Sequence, residues 1–301
     1  MLHHRLAGRW ALVLGLASVW VGSASAQAAL VLQTDFGLGD GSVAAMKGVA
    51  YSIAPRLEVH DLTHLIPPYD IREAALRLRQ VVTYWPAGTV FVSVVDPGVG
   101  TARRPIVART RTGHYIVTPD NGTLTLVADA LGLEAVRVID LDRHLRRGAQ
   151  RSHTFHGRDV FVVVGAGLAA GVLSLNEVGP AVETVVNRFA LPAVQRTTDM
   201  LAAGVIGIDR PFGNVWTNLP AAQLDSAGLE VGDTVRVLLR RGTRVLFSGE
   251  VPYTNTFGEV PPGRPLLYLN SLLEAAVAFN RADFAGRYGI VPGDLVEIRR
   301  R

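Results

Sequence analysis

The chain has no cysteine among its 301 residues. That excludes disulfides, thiolate zinc sites and a cysteine nucleophile, and it is compatible with any redox compartment. Lysine is almost as scarce: Lys47 is the only one, and the basic charge rests on arginines spread along the whole length. Such scatter reads as compositional bias rather than a phosphate-binding stripe, which gathers its cations on one face. We therefore expect no nucleic-acid partner. Beyond the first 26 residues, no apolar run is long enough to cross a bilayer.

Those first residues have the three parts of an export signal. His3, His4, Arg5 and Arg9 precede an apolar run at 10–22, and Ala24-Ser25-Ala26 supplies a small-x-small cleavage site. The run is short for a membrane anchor, so the expectation is a periplasmic or secreted protein, free of the membrane once cut after Ala26. The formal charge of +4 then falls to near neutral.

With 49% hydrophobic and 19% charged residues the rest is globular, and its length suits two domains. Up to about residue 172, apolar runs at 29–33, 57–61, 89–95, 115–118 and 135–139 alternate with helical patterns at 43–53, 71–84 and 124–131. That alternation predicts an α/β domain over 27–185 with a mostly parallel sheet. Residues 186–200, with Leu191-Pro192, read as a linker. Short strands separated by turn residues predict a small all-β, barrel-like domain over 201–301.

Polar residues cluster where the apolar runs stop. Asp35 follows the first strand, the place where α/β folds hold a ligand's hydroxyls, and it is a ribose-diol candidate or else a helix cap. Asp70 with Glu73 resembles a capping box. Arg77, seven residues after Asp70, shares its helix face, either as a pair aimed into a pocket or as a solvated pair. Residues 152–159 (SHTFHGRD) stand between a basic run and a strongly apolar one. His156 there is a candidate for proton chemistry, the alternative being a polar loop that caps the next helix. Asp96, Asn121 and His156 are expected to converge with Asp35 on one sheet edge. Asp61, His64, Asp96 and His156 leave a metal open, although nothing in the pattern calls for one.

Seven strings in order, TDFGLGDGSVAAMKG, DLTH, VVDPGVG, PDNG, TFHGRDVF, IDRPFGNVWTN and YLNS, resemble the S-adenosyl-L-methionine hydroxide adenosyltransferases. These adenosine-forming hydrolases are related to the fluorinases and chlorinases. The resemblance covers nearly all of the chain after residue 26. It implies in-line attack of water on ribose C5′ of S-adenosyl-L-methionine, releasing adenosine and L-methionine without a cofactor or metal. It also implies a homotrimer with each site between two subunits. By the same resemblance Asp70, Arg77 and His156 form the water-activating triad, and Asp35 holds the ribose. Asn214 reads adenine with Phe212 packed near it, Asp209 takes the methionine ammonium, and Ser271 takes its carboxylate. Leu272 follows Ser271 where the halogenases carry an arginine. Two other readings compete. A halogenase would line the His156 stretch with a small halide cavity, and an exported nucleoside-binding protein would have no use for a triad.

Overall fold

The computed structural model describes residues 27–300, so the export signal and its cleavage site lie outside the described residues. In the N-terminal half, β1 (Leu30–Thr34), β2 (Val59–Thr63), β3 (Val90–Val94), β4 (Pro105–Thr110), β5 (Tyr115–Pro119), β6 (Leu133–Val138) and β7 (Ala181–Val182) form one sheet. Their order is β2-β1-β3-β5-β4-β6-β7. β1 and β3 are buried at every position, as their unbroken apolar and β-branched runs require of central strands.

Helices α1 (Ser42–Ile53), α2 (Ile71–Val82), α3 (Thr125–Leu131), α4 (Leu141–His144) and α5 (Val162–Ala169) complete this half. α2 and α3 cover one face of the sheet through Leu78, Val82 and Val127, which pack on Val31 and Phe91. α1 and α5 cover the other through Met46, Ala50 and Val164, against Leu32 and Val92. Gly165 lets α5 lie directly on β3, because a Cβ there would sit 2.3 Å from Cγ2 of Val92.

The sheet is mixed rather than mostly parallel. β1, β2, β3 and β5 pair in parallel, whereas β4 pairs antiparallel with β5 and β6, and β7 antiparallel with β6. The strand at Pro105–Thr110, absent from the sequence expectation, is the cause. It folds back on β5 through a short turn at Gly113 (φ +85°), and so short a connection can join only antiparallel neighbours. The parallel portion still places its functional edge. β2 lies on one side of β1 and β3 on the other, so the strand order reverses at β1 and a crevice opens beyond its carboxyl end.

The C-terminal half holds β8 (Gln195–Arg196), β9 (Met200–Asp209), β10 (Asn214–Pro220), β11 (Thr234–Arg241), β12 (Arg244–Pro252), β13 (Pro265–Leu269), β14 (Glu274–Phe279) and β15 (Leu295–Arg300), with short helices α6 (Ala221–Ser226) and α7 (Phe284–Tyr288). The order β12-β11-β15-β9-β10-β14-β13, with β8 beside β9, is antiparallel throughout. A bridge between Tyr253 and Leu267 brings the two ends of this path together, so the sheet nearly closes into a barrel. The stretch between β7 and β8 carries no regular element. It is tied down where Asn187 donates to Asp120 (2.7 Å) and where the Pro192 carbonyl accepts from Asn218 Nδ2 (2.8 Å).

The two halves meet where α2 packs on β9, with Ala75 and Leu76 against Ile206, Trp216 and Tyr268. Gly207 permits the approach, since a Cβ at that position would lie 2.0 Å from Cδ2 of Leu76.

Candidate active site

Two separate cavities hold six of the eight candidate residues. The first, about 550 Å³, opens at the β1/β3 crevice and is lined by Asp35, Tyr69, Asp96, Phe155 and His156 among others. Asp35 stands one residue past β1. Its Oδ2 accepts from the Tyr69 backbone N–H at 2.9 Å, and among the described residues Oδ1 has no hydrogen-bond partner. Asp40, not Asp35, accepts from Ser42 N at the start of α1, so Asp35 is free of the capping role. Tyr69 itself sits in the left-handed region (φ +68°) at the rim.

Beneath this rim, Thr34 Oγ1 meets His64 Nδ1 at 2.8 Å, His64 Nε2 meets Asp61 Oδ1 at 3.0 Å, and Lys47 donates to Asp61 Oδ2 at 2.7 Å. Burial pushes the Asp61 carboxyl up, but the Lys47 and His64 hydrogen bonds outweigh it and hold the group below the usual range. Asp61 and His64 are therefore consumed in buttressing the Asp35 loop. Among the described residues, no three His, Asp or Glu side chains gather as a metal site.

His156 enters the cleft just ahead of a π-helical turn, Gly157–Phe161, that leads into α5. The helix is apolar on all sides, so it can only lie buried, and that pins the turn against the sheet. His156 is 9% exposed, and its Nδ1 lies 2.9 Å from Nη2 of Arg103. Arg103 in turn donates from Nε to Asp96 Oδ1 at 2.9 Å and pairs through Nη2 with Oδ2, while its guanidinium stacks over Phe161 at 5.1 Å. Burial first, and then the neighbouring Arg103 cation, push the imidazole below its ordinary value. Arg158 stays out of the chemistry: it clasps Asp159 at 2.6 and 2.8 Å and lies over the Phe155 ring.

The second cavity, about 830 Å³, lies on the β-barrel side and is lined by Asp209, Phe212, Asn214, Tyr268, Asn270 and Ser271 among others. Asp209 and Asn214 flank the tight turn from β9 to β10, and Asn214 Nδ2 donates to Asp209 Oδ2 at 3.0 Å. Asn214 is buried, whereas Phe212 at the tip is 64% exposed. Burial pushes the Tyr268 hydroxyl up to about 12, so it stays protonated. Asn270 fixes the turn at Ser271 by accepting from Leu272 N and Glu274 N.

The structure thus brings Asp35 and His156 to one cavity and Asp209, Phe212, Asn214 and Ser271 to the other, and the two share no lining residue. Within the single chain no hydrogen bond or ion pair joins Asp70, Arg77 and His156 among the described residues. Asp70 caps α2 by accepting from Glu73 N at 2.9 Å. Arg77 donates to Glu73 (2.9 Å), Gln80 (2.9 Å) and the Ile208 carbonyl (3.0 Å), which ties α2 to the end of β9 beside Asp209. Arg77 lies on α2 two turns after its cap, and its guanidinium turns to the i−4 glutamate and the barrel. The residue sequence reasoning missed is Arg103. Its one local signal is the Arg103-Arg104 pair shortly after the VVDPGVG turn.

Comparison with known proteins finds both halves of the chain in one family. Residues 30–179 match the SAM hydroxide adenosyltransferase N-terminal domain, and residues 203–297 match the C-terminal domain of the same family. A protein named (R)-S-adenosyl-L-methionine hydrolase from Salinispora arenicola is 43% identical over 267 residues, covering 88% of this chain and 95% of that one. A fluorinase from an Actinoplanes species is 31% identical, covering 90% and 97%. Among solved structures, an uncharacterized conserved protein from Thermotoga maritima superposes with a TM-score of 0.82 at 34% identity, covering 90% of this chain and all of that one. With both halves matched in order, the chain belongs to the SAM hydroxide adenosyltransferase family.

Proposed function

We propose that this protein hydrolyses S-adenosyl-L-methionine to adenosine and L-methionine. The observation that carries the reading is the cleft at the β1/β3 reversal, which sets a carboxylate with a free oxygen (Asp35) beside a buried neutral imidazole (His156). It is supported by family membership and by relatives at 41–43% identity that bear the name of (R)-S-adenosyl-L-methionine hydrolase. Water attacks C5′ in line, the C5′–S bond breaks with its electron pair staying on sulfur, and methionine departs as a neutral thioether. A neutral leaving group needs no general acid, and the reaction calls for no cofactor. The demand falls on aligning the water.

In this reading Asp35 accepts the ribose hydroxyls and His156 orients the water. Asn214 reads adenine beside Phe212, Asp209 takes the ammonium, and Ser271 takes the carboxylate. Asp70 and Arg77 act through the scaffold, the first by starting α2 and the second by holding β9 at Asp209. One ligand molecule must touch both cavities, and the cavities of a single chain are separate. A homotrimer in which the N-terminal cleft of one subunit faces the C-terminal cavity of its neighbour satisfies both requirements. Export rests on the N-terminal segment alone, and N-terminal sequencing of exported protein should begin at Gln27.

The test is incubation of pure protein with each sulfonium epimer of S-adenosyl-L-methionine in ¹⁸O-labelled water, followed by chromatography and mass spectrometry. Labelled adenosine with free methionine is the expected result. A 5′-halogenated nucleoside formed in the presence of chloride or fluoride would identify a halogenase instead. Binding without turnover of either epimer would identify a nucleoside-binding protein.

A further inference from the structure

We propose that the buried ion pair between Arg79 and Glu274 is a positioning device, which sets the turn that presents Ser271 to a ligand in the larger cavity. Ser271 stands in the hairpin turn from β13 to β14, and that turn is closed on itself. Asn270 Oδ1 accepts from Leu272 N at 2.9 Å and from Glu274 N at 3.1 Å, and the Asn270 carbonyl accepts from Leu273 N at 2.9 Å. Leu273 itself takes the left-handed region (φ +57°). A turn tied in this way keeps its shape, but its placement against the rest of the molecule depends on anchors outside it. On the barrel side Ala221 N donates to the Leu273 carbonyl at 2.9 Å. Toward the N-terminal half the anchor is Glu274, whose Oε1 lies 3.3 Å from Arg79 Nη2 in the last turn of α2.

The pair lies behind the Ser271 turn, with the Arg79 and Glu274 side chains 21% and 12% exposed. Two small cavities of about 280 and 240 Å³ run beside it. Ser271 lines both the first of these and the 830 Å³ cavity, so it is the wall between the ligand space and the compartment where Arg79 stands. Arg79 lines both small cavities, and Glu274 the second. Arg77, two residues earlier on α2, donates to the Ile208 carbonyl beside Asp209. One helix thus fixes two groups of the larger cavity, Asp209 through Arg77 and Ser271 through Arg79.

Stability does not account for the pair. Burial pushes the Glu274 carboxyl above the ordinary carboxylate value, and Arg79 offsets that only in part. A carboxyl raised on folding binds its proton more tightly in the folded state, so ionised Glu274 lowers stability once the pH exceeds its unfolded value. Asp129 of α3 lines the same cavity and is already paired with Arg188, so it brings Glu274 no compensating cation. Glu274 Oε2, Arg79 Nη1 and Asn270 Nδ2 are also buried with no hydrogen-bond partner among the described residues, and groups of that kind cost free energy. Two apolar side chains of similar volume would serve the fold as well or better, but they would not fix one distance between α2 and the turn.

The consequence concerns the ligand, and here the inference rests on the proposed hydrolysis, in which Ser271 takes the methionine carboxylate. With the pair intact the serine hydroxyl stands where it meets that carboxylate. Without it the turn drifts and the contact lengthens, while the adenine and ammonium contacts, held by other elements, persist.

The test is calorimetry on the full protein with adenosine, and then, at saturating adenosine, with L-methionine and with 3-(methylthio)propylamine, which is methionine without its carboxylate. Amide hydrogen exchange over residues 270–274 and thermal melting at pH 7 accompany it. Glu274→Gln keeps the shape and removes the charge. Arg79→Met combined with Glu274→Met removes the whole pair and leaves no buried charge unpaired, and it decides the matter if Glu274→Gln does not fold. Both should melt no lower than the wild type, exchange faster over 270–274 and bind L-methionine about 10-fold more weakly, with adenosine and the amine unchanged. A loss common to all three ligands, or methionine affinity equal in the wild type and both variants, overturns the proposal. The exchange needs no ligand. If the wild type binds methionine no better than the amine, the assignment of Ser271 to the carboxylate fails; faster exchange in the variants then upholds the setting of the turn by Arg79 and Glu274, and unchanged exchange overturns it.

Discussion

Removing the Asp35 carboxylate tests the ribose assignment by a binding measurement that does not depend on turnover. Its Oδ2 already accepts the Tyr69 N–H at 2.9 Å, and Oδ1 has no partner among the described residues. A carboxylate has about four lone-pair sites, so a cis-diol can still place both hydroxyls on it. Losing two charge-assisted hydrogen bonds costs about 2–4 kcal/mol, which is about 30- to 800-fold in affinity. The diol is remote from the C5′–S bond, so the loss should fall on substrate and product affinity alike and leave kcat nearly intact. Asp35→Ala also releases the Tyr69 turn, which stands in strained backbone at the rim. Asp35→Asn separates the two effects: its amide oxygen still accepts from Tyr69 N, while the charge is gone. Calorimetry with adenosine should rank wild type above Asn above Ala. Adenosine binding equal in wild type and Asp35→Ala would refute the assignment and return Asp35 to a loop-fastening role.

Three further outcomes are expected. Sedimentation equilibrium should give a trimer, and mixing unfolded Asp35→Ala and Asn214→Ala chains before refolding should recover part of the tight adenosine binding that each alone lacks; no recovery would place both half-sites in one chain. Asp159, 1% exposed, is pushed up by burial but held below the usual carboxylate range by hydrogen bonds from Arg158 and Arg146. A depressed carboxyl stabilises above its unfolded value and loses that contribution as pH falls through the folded one, so Asp159→Asn should cost about 1–2 kcal/mol at pH 7, discounted for partners that reach solvent, with the gap closing below about pH 4 in urea midpoints. Gly207→Ala should destabilise by about 1–3 kcal/mol by driving a methyl into Leu76, which is fully buried, and adding Leu76→Ala should give a cost smaller than the sum of the two; additive costs would show that α2 and β9 do not pack there.

The elements read correctly from sequence are those whose signal is local. β1 and β3 are unbroken apolar runs, and α2 shows its cap at Asp70 and its stripe at Ala74, Ala75, Leu78 and Val82 within twelve residues. The missed strands are β4, β7, β8, β14 and β15. Glu274–Phe279 (EAAVAF) contains three alanines and has no intrinsic preference for a strand. It becomes one because β10 and β13 offer edges on both sides, with its five last residues buried. Pro105–Thr110 is likewise made a strand by β5 and β6 rather than by its own pattern. Pairing of this kind is decided between segments, so no window along the chain contains it.

The candidate site divides along the same line. Asp35 and His156 were legible because each stands where an apolar run meets a polar turn, whereas Asp209 and Asn214 came only from the resemblance of IDRPFGNVWTN, whose tight turn carries both. What those residues touch was not legible. His156 finds its partner 53 residues away at Arg103, and Arg77 finds one 131 residues away at Ile208. Both contacts escape a reading of the sequence for one reason. Asp70 and Arg77 share a helix face, and that invites the assumption that they also share a task. Yet a long side chain is claimed by whichever acceptor its tip can reach, and for Arg77 these are Glu73, Gln80 and a barrel carbonyl. The same reasoning makes the pair at Asp96 and Arg103 informative. Both side chains are almost fully buried, they are seven residues apart across an irregular turn, and Arg103 reaches the His156 imidazole in the cleft. An ion pair serving stability alone gains little from such burial, because desolvation offsets most of its Coulomb attraction. Burial beside His156 costs the fold something, and it holds the Arg103 guanidinium 2.9 Å from the ring.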